Sequence, residues 1–177
     1  MPRPLQTCVA VVDYAFPWDG LVARFKFRNQ PGWADPLAEL MLRRPEAWAL
    51  MQTCTRLVPI PVTPVRLAER GYNQAWELAK ALHRRAAPAT LRALPEALVR
   101  VRETADQHQL PREQRLRNLR GAFAAHPDHA SHLAQAHVLL VDDVTTTGAT
   151  LLAAAQALQQ AGAGRVSALV LARTPSD

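Results

Sequence analysis

The stretch Val138–Thr150, VLLVDDVTTTGAT, constrains this chain more than any other. Four apolar residues, Val138–Val141, make a buried strand, two carboxylates, Asp142 and Asp143, sit at its end, and a turn of threonine and glycine opens a helix. Parallel α/β sheets bind ligands at the carboxyl ends of their strands, so the acids stand in the right place. A helix N-terminus offers free N–H groups and the positive end of a dipole, which favour a phosphate. Gly148 lets the backbone approach such an anion closely, and Thr146, Thr147 and Thr150 add hydroxyl donors. Adjacent carboxylates on an extended backbone point to opposite sides and reach different hydroxyls of one sugar. The unit therefore reads as a grip for a ribose 5-phosphate. An isolated DD or TTG would be a helix entry with N-caps and no more. No GK[ST] follows, so this is not a P-loop, and the GxGxxG of a dinucleotide fold is missing.

Elsewhere, residues 8–14 read as a strand and 19–28 as a helix, with Leu21, Val22 and Phe25 on one face. Residues 34–43 and 45–52 read as two helices split by Pro45, and Arg56–Ile60 as a short strand. The prolines between Pro59 and Pro64 predict a stiff, extended loop. Ala75, Leu78, Ala79 and Leu82 have the spacing of an amphipathic helix over 71–85. Residues 96–102 read as a strand, 103–121 as a polar, mobile loop leading into a short helix, and 124–136 carry little pattern. His137–Asp142, Thr147–Ala161 and Arg165–Arg173 read as strand, helix and strand. This alternation argues for an α/β fold with a mainly parallel sheet flanked by helices. A chain of 177 residues suits one domain, 1–177, with an N-terminal strand and helices over 1–55 and a ligand-binding core over 56–177.

Charged residues are 20% of the chain and hydrophobic ones 49%, which excludes disordered and fibrous classes. No apolar run reaches the ~18 residues of a membrane span, and the start lacks the apolar core of a signal peptide. A cytoplasmic location is the expectation, with no membrane partner. Between Arg56 and Arg120 there are 13 basic and 6 acidic residues, an excess of seven. All basic residues except Lys26 and Lys80 are arginines, whose fork suits phosphate. The excess fits a solvated surface, a phosphorylated small molecule or nucleic acid.

The unit Val138–Thr150 resembles the signature with which type I phosphoribosyltransferases hold phosphoribosyl pyrophosphate (PRPP). Three further blocks, VPIPVTPVRLAERGYNQAWELAKAL (58–82), RETADQHQLPREQRLRNLRGAF (102–123) and ALVLART (168–174), are similar in order and spacing to the ComF family. That family includes competence proteins of bacterial DNA uptake and proteins of the GntX type. The segment DGLVARFKFR (19–28) resembles the start of the same transferase domain. The resemblance implies a type I phosphoribosyltransferase-like fold with a flexible hood loop. It implies that Asp142 and Asp143 hold the ribose hydroxyls, and that Thr145, Thr146, Thr147, Gly148 and Thr150 hold the 5-phosphate. Thr145 stands where an apolar residue is expected. Arg66 and Arg70 fall in the loop that touches the pyrophosphate. Arg102, Thr104, Gln107, Arg112, Arg115 and Asn118 fit the hood pattern, and a hood excludes water from a donor prone to hydrolysis.

Mg2+ is implied as cofactor, bound mainly through PRPP. Many family members carry a four-cysteine zinc ribbon. Cys8 and Cys54 cannot form one, so no zinc is expected. Asn73 and Gln74 match the family's RGxNQ, either as a helix cap or as ligand contacts. His126, His129, His132 and His137 lack a zinc spacing and read as a solvated loop, and the four tryptophans read as packing residues. Two functions follow from the resemblance. One is an enzyme transferring phosphoribose to an unknown acceptor with release of pyrophosphate. The other is a non-catalytic protein of DNA uptake that binds PRPP or a ribose 5-phosphate nucleotide and, weakly, single-stranded DNA.

Overall fold

The computed structural model describes residues 3–27, 30–102 and 111–175, without the side chains at 27, 112 and 115. The first half runs β1 (Thr7–Asp13), α1 (Trp18–Phe27), α2 (Ala34–Leu42), α3 (Pro45–Thr53), β2 (Arg56–Pro59), α4 (Pro64–Arg70) and α5 (Gln74–Ala86). Then come β3 (Arg92–Ala93), β4 (Leu98–Arg100), α6 (Arg112–Leu119), β5 (Phe123–Ala125) and α7 (Ala130–Leu133). The chain closes with β6 (His137–Thr145), α8 (Ala149–Gln160) and β7 (Arg165–Arg173). No helix among the described residues is long and apolar enough to cross a membrane.

Five strands form a parallel sheet in the order β1-β7-β6-β2-β3. Its central strands are apolar on both faces, as strands covered on two sides must be. Leu139 and Val141 of β6, with Leu169 and Leu171 of β7, pack into a core with α1, α2, α3 and α5. Val138 and Leu140, with Val166, Ala168 and Val170, pack into a second core under α8. The stripe Leu151, Ala154, Ala155 and Leu158 of α8 meets that face. Cys54 is fully buried in the first core. Burial pushes its thiol up to about 12, so it remains protonated and inert.

The structure departs from the sequence expectations in four places. The extended stretch ends at Thr63, and residues 64–70, expected within a loop, form a helix. Thr63 caps it, its Oγ1 accepting from Arg66 N at 3.3 Å, and Pro64 occupies the first turn, where a missing N–H costs nothing. Gly71, at φ 78°, ends that helix, so α5 begins at Gln74 and not at residue 71. β4 does not join the parallel sheet. It pairs antiparallel with β5, which the sequence left unpatterned, and this ribbon lies against α8. β6 runs on to Thr145, and α8 starts at Ala149 instead of Thr147.

Candidate functional site

The carboxyl end of β6 and the start of α8 enclose one side of a cavity of about 160 Å³. Asp142, Asp143 and all of Thr145–Thr150 line it. Gly148 has φ 78°, a left-handed conformation that a side chain disfavours, and a Cβ there would touch no protein atom. The backbone bend, not crowding, requires the glycine. Thr147 Oγ1 accepts from Ala149 N at 3.4 Å, so this threonine serves the helix start. Thr145 is buried at the strand's end, and Thr146 is exposed beside the turn.

Of RGYNQ, residues 70–74, Arg70, Asn73 and Gln74 also line the cavity, and each of the five residues has a distinct task. Arg70 lines the cavity together with Arg66. Gly71 makes the left-handed turn between α4 and α5. The Tyr72 hydroxyl donates to the carbonyl of Phe25 on α1. Asn73 caps α5, with Oδ1 accepting from Ala75 N at 2.9 Å, while its Nδ2 donates to Ile60 O at 3.1 Å. Asn73 is thus a cap that also ties α5 to the end of β2, and it lines the cavity as well. Gln74 lines the cavity with 4% of its surface exposed, and its Oε1 is buried with no hydrogen-bond partner among the described residues.

The electrostatics centre on the two acids. Asp143 N donates to Asp142 Oδ1 at 2.9 Å, and Val144 N donates to Asp143 Oδ1 at 2.8 Å. The second carboxylate oxygen of Asp143 faces Lys26 Nζ at 3.8 Å, with 4% and 19% of the two side chains exposed. Burial, and then the neighbouring Asp143, push the Asp142 carboxyl well above the usual carboxylate range. Burial and the adjacent Arg66 press the Arg70 guanidinium down from its ordinary value, and Asp143 opposes them. The cations and the threonine–glycine turn can receive an anion, and the acids can accept hydrogen bonds from hydroxyl groups or a hydrated cation.

The hood residues divide. Arg102 donates to the carbonyl of Asn118 at 3.4 Å and to that of Arg120, which pins the two ends of the intervening segment together. Neither Arg102 nor Asn118 lines the cavity. Arg112 and Arg115 lie on α6, with side chains outside the described residues; Thr104 and Gln107 fall outside them altogether. Leu119, at the end of α6, does reach the cavity. So does Arg100, whose guanidinium lies 5.3 Å from the centre of the Phe123 ring across the β4–β5 ribbon.

Sequence reasoning overlooked Lys26, Arg100 and Leu119. Lys26 carried one signal: it is one of two lysines in an arginine-rich chain and sits between two phenylalanines. Arg100 gave none, because the sequence of its strand does not show which strand it pairs with. His126, His129 and His132 pack ring against ring. Among the described residues no group of three or more histidines, cysteines or acids is placed to hold a metal ion.

Comparison with known proteins accords with this geometry. A phosphoribosyl transferase domain model matches residues 68–177. DNA utilization protein YhgH of Escherichia coli (strain K12) is 35% identical, over 98% of this chain and 74% of its own length. Competence protein F of Haemophilus influenzae is 32% identical, over 93% of this chain and 72% of its own. Competence protein ComFC of Bacillus subtilis is 34% identical, over 67% of this chain and 44% of its own. The chain belongs to the phosphoribosyltransferase-domain proteins, within the ComF-like family.

Proposed function

We propose that this chain binds PRPP and transfers its phosphoribosyl group to an acceptor, releasing pyrophosphate. One observation carries the reading. A single cavity joins the acid pair, the threonine–glycine turn and Arg66 with Arg70, which are the three chemistries a ribose with a 5-phosphate and a 1-diphosphate demands. Asp142 and Asp143 take the ribose hydroxyls. The turn from Thr145 to Thr150 takes the 5-phosphate at the head of α8. Arg66 and Arg70 take the diphosphate and balance its charge as the C1–O bond breaks. A nitrogen nucleophile on the acceptor forms the new bond at C1 and gives up its proton, while the diphosphate keeps the bonding electrons. Holding both reactants in line is the main contribution asked of the protein.

The donor set fits Mg2+ brought in by PRPP. The acids and the Gln74 carboxamide supply hard oxygens, whereas the cations around them leave no anionic cage for a metal alone. Asp142, Asp143 and Gln74 would face such an ion, which when bound neutralises part of the diphosphate charge. Calorimetric titration with PRPP and Mg2+, followed by an acceptor screen for pyrophosphate release, tests the reading. A folded Asp142→Ala/Asp143→Ala double mutant that binds PRPP as the native chain does would overturn it.

A second reading rests on the names of the relatives, two of them competence proteins and one a DNA utilization protein. In that reading the chain serves DNA uptake in the cytoplasm, and its PRPP site is a regulatory pocket. The basic excess between Arg56 and Arg120 then meets single-stranded DNA. PRPP binding without pyrophosphate release for any acceptor would favour it over catalysis.

A further inference from the structure

Lys26 lies on α1, far in sequence from Asp143, yet it reaches that acid and lines the same cavity as Arg66 and Arg70. It is fastened there. Phe25 is fully buried in the core, and Tyr72 bonds the Phe25 carbonyl, which ties the end of α1 to the residues directly after Arg70. The groups share one electrostatic neighbourhood: Arg70 responds to Arg66 and Asp143, and Asp142 responds to Lys26. Asp143 is the acid in reach of Lys26, at 3.8 Å from its Nζ. Lys26, Arg66 and Arg70 line one cavity, like charges repel one another, and ribose hydroxyls do nothing to relieve that. A diphosphate does.

We propose that Lys26 is a ligand-contacting residue: it pairs with Asp143 in the free protein and turns to the diphosphate of PRPP when the site fills, leaving Asp143 to the ribose hydroxyls. The inference rests on the PRPP reading and deepens it. The leaving-group side of the site is then built from α1 as well as α4, and the N-terminal segment is part of the binding machinery. Lysine suits the exchange, since its ammonium is a compact charge on a flexible four-carbon stem and needs no fixed fork geometry. An arginine locked bidentate on Asp143 would resist it.

Ribose 5-phosphate provides the control, because it keeps the sugar and the 5-phosphate and lacks the diphosphate. The experiment titrates PRPP and ribose 5-phosphate, each with Mg2+, into the native chain and into Lys26→Gln, Lys26→Met and Lys26→Arg. Lys26→Gln is the decisive variant, since it removes the charge and keeps a polar donor on a slightly shorter side chain. Loss of one charge-assisted contact should weaken PRPP roughly ten- to hundredfold. Ribose 5-phosphate should change by less than about threefold, and Lys26→Arg, which keeps the charge, should lose less PRPP affinity than Lys26→Gln. Unchanged PRPP affinity in Lys26→Gln would overturn the inference and leave the PRPP reading intact. So would an equal loss for both ligands, whether from misfolding or from an effect on the ribose through Asp143. A native chain that binds neither ligand would overturn the PRPP reading and this inference together.

Discussion

Gln74→Met should make the free protein more stable and the PRPP complex weaker. The Gln74 side chain sits at the start of α5 with 4% of its surface exposed, and its Oε1 has lost water without gaining a donor among the described residues. A buried acceptor left in that state costs about 1–3 kcal/mol. Methionine is unbranched, close in length, equal as a helix former and free of the polar oxygen, so it should recover most of that cost without opening a cavity. For a domain of this size each kcal/mol moves Tm by about 2–4 °C, so the melting temperature should rise by about 2–12 °C. The same change removes an acceptor for a ligand hydroxyl or a metal-bound water. Loss of one such neutral bond, about 0.5–1.5 kcal/mol, should weaken PRPP binding roughly two- to tenfold. Thermal melts of both proteins, with and without PRPP and Mg2+, read both effects at once. A Tm that stays or falls in the free variant would refute the argument, because the amide would then be contributing to the fold. A higher Tm with unchanged PRPP affinity would show that the orphaned oxygen does not face the ligand.

The strand, acid pair, turn and helix that form one side of the cavity were legible in the sequence because they are local. A four-residue apolar run, two acids and a Thr–Gly turn follow one another along the chain, and backbone geometry alone sets them at a strand end and a helix start. The stripe at Ala75, Leu78, Ala79 and Leu82 was legible for the same reason: helical spacing is a short-range property. Two kinds of feature escaped. One is proline read out of context. Pro64 looks like part of a stiff loop, and only the Thr63 cap shows that it opens a helix. The other is contact at long range. Nothing in FKF says that Lys26 meets Asp143, since that contact depends on Phe25 filling the core and Tyr72 closing on its carbonyl. Likewise EALVRVR shows a strand but not its partner. Pairing with β5 is what carries Arg100 to the cavity. Asn73 illustrates an intermediate case: its helix-capping role fits the motif, yet its second bond, to Ile60 O, is tertiary.

Gly148→Ala should lose roughly 1–2 kcal/mol in chemical denaturation, because its φ of 78° lies where L-residues are disfavoured and no protein contact is gained; an unchanged midpoint would mean that the turn relaxes freely. Arg102→Ala removes the bonds to the Asn118 and Arg120 carbonyls, so amide exchange should quicken across α6 and its C-terminal turn, and unaltered exchange there would show that the pin is idle. Single-stranded DNA, followed by fluorescence anisotropy, should bind weakly at low salt, lose affinity steeply as salt rises and compete with PRPP; no binding at low ionic strength would retire the DNA reading. Asp142→Asn, finally, should flatten the pH dependence of stability. The Asp142 carboxyl titrates near 3.8 when unfolded and well above that when buried beside Asp143. Between those two values the folded chain holds a proton that the unfolded chain has released, so folding stability falls as pH rises through the window, by about 1.4 kcal/mol for each pH unit crossed. Below the unfolded value both states are neutral and the variant should match the native chain. At pH 7 the variant should therefore be the more stable protein and the poorer PRPP binder. A variant that is less stable at pH 7, with the native pH slope retained, would show that Asp142 is already ionised in the free site.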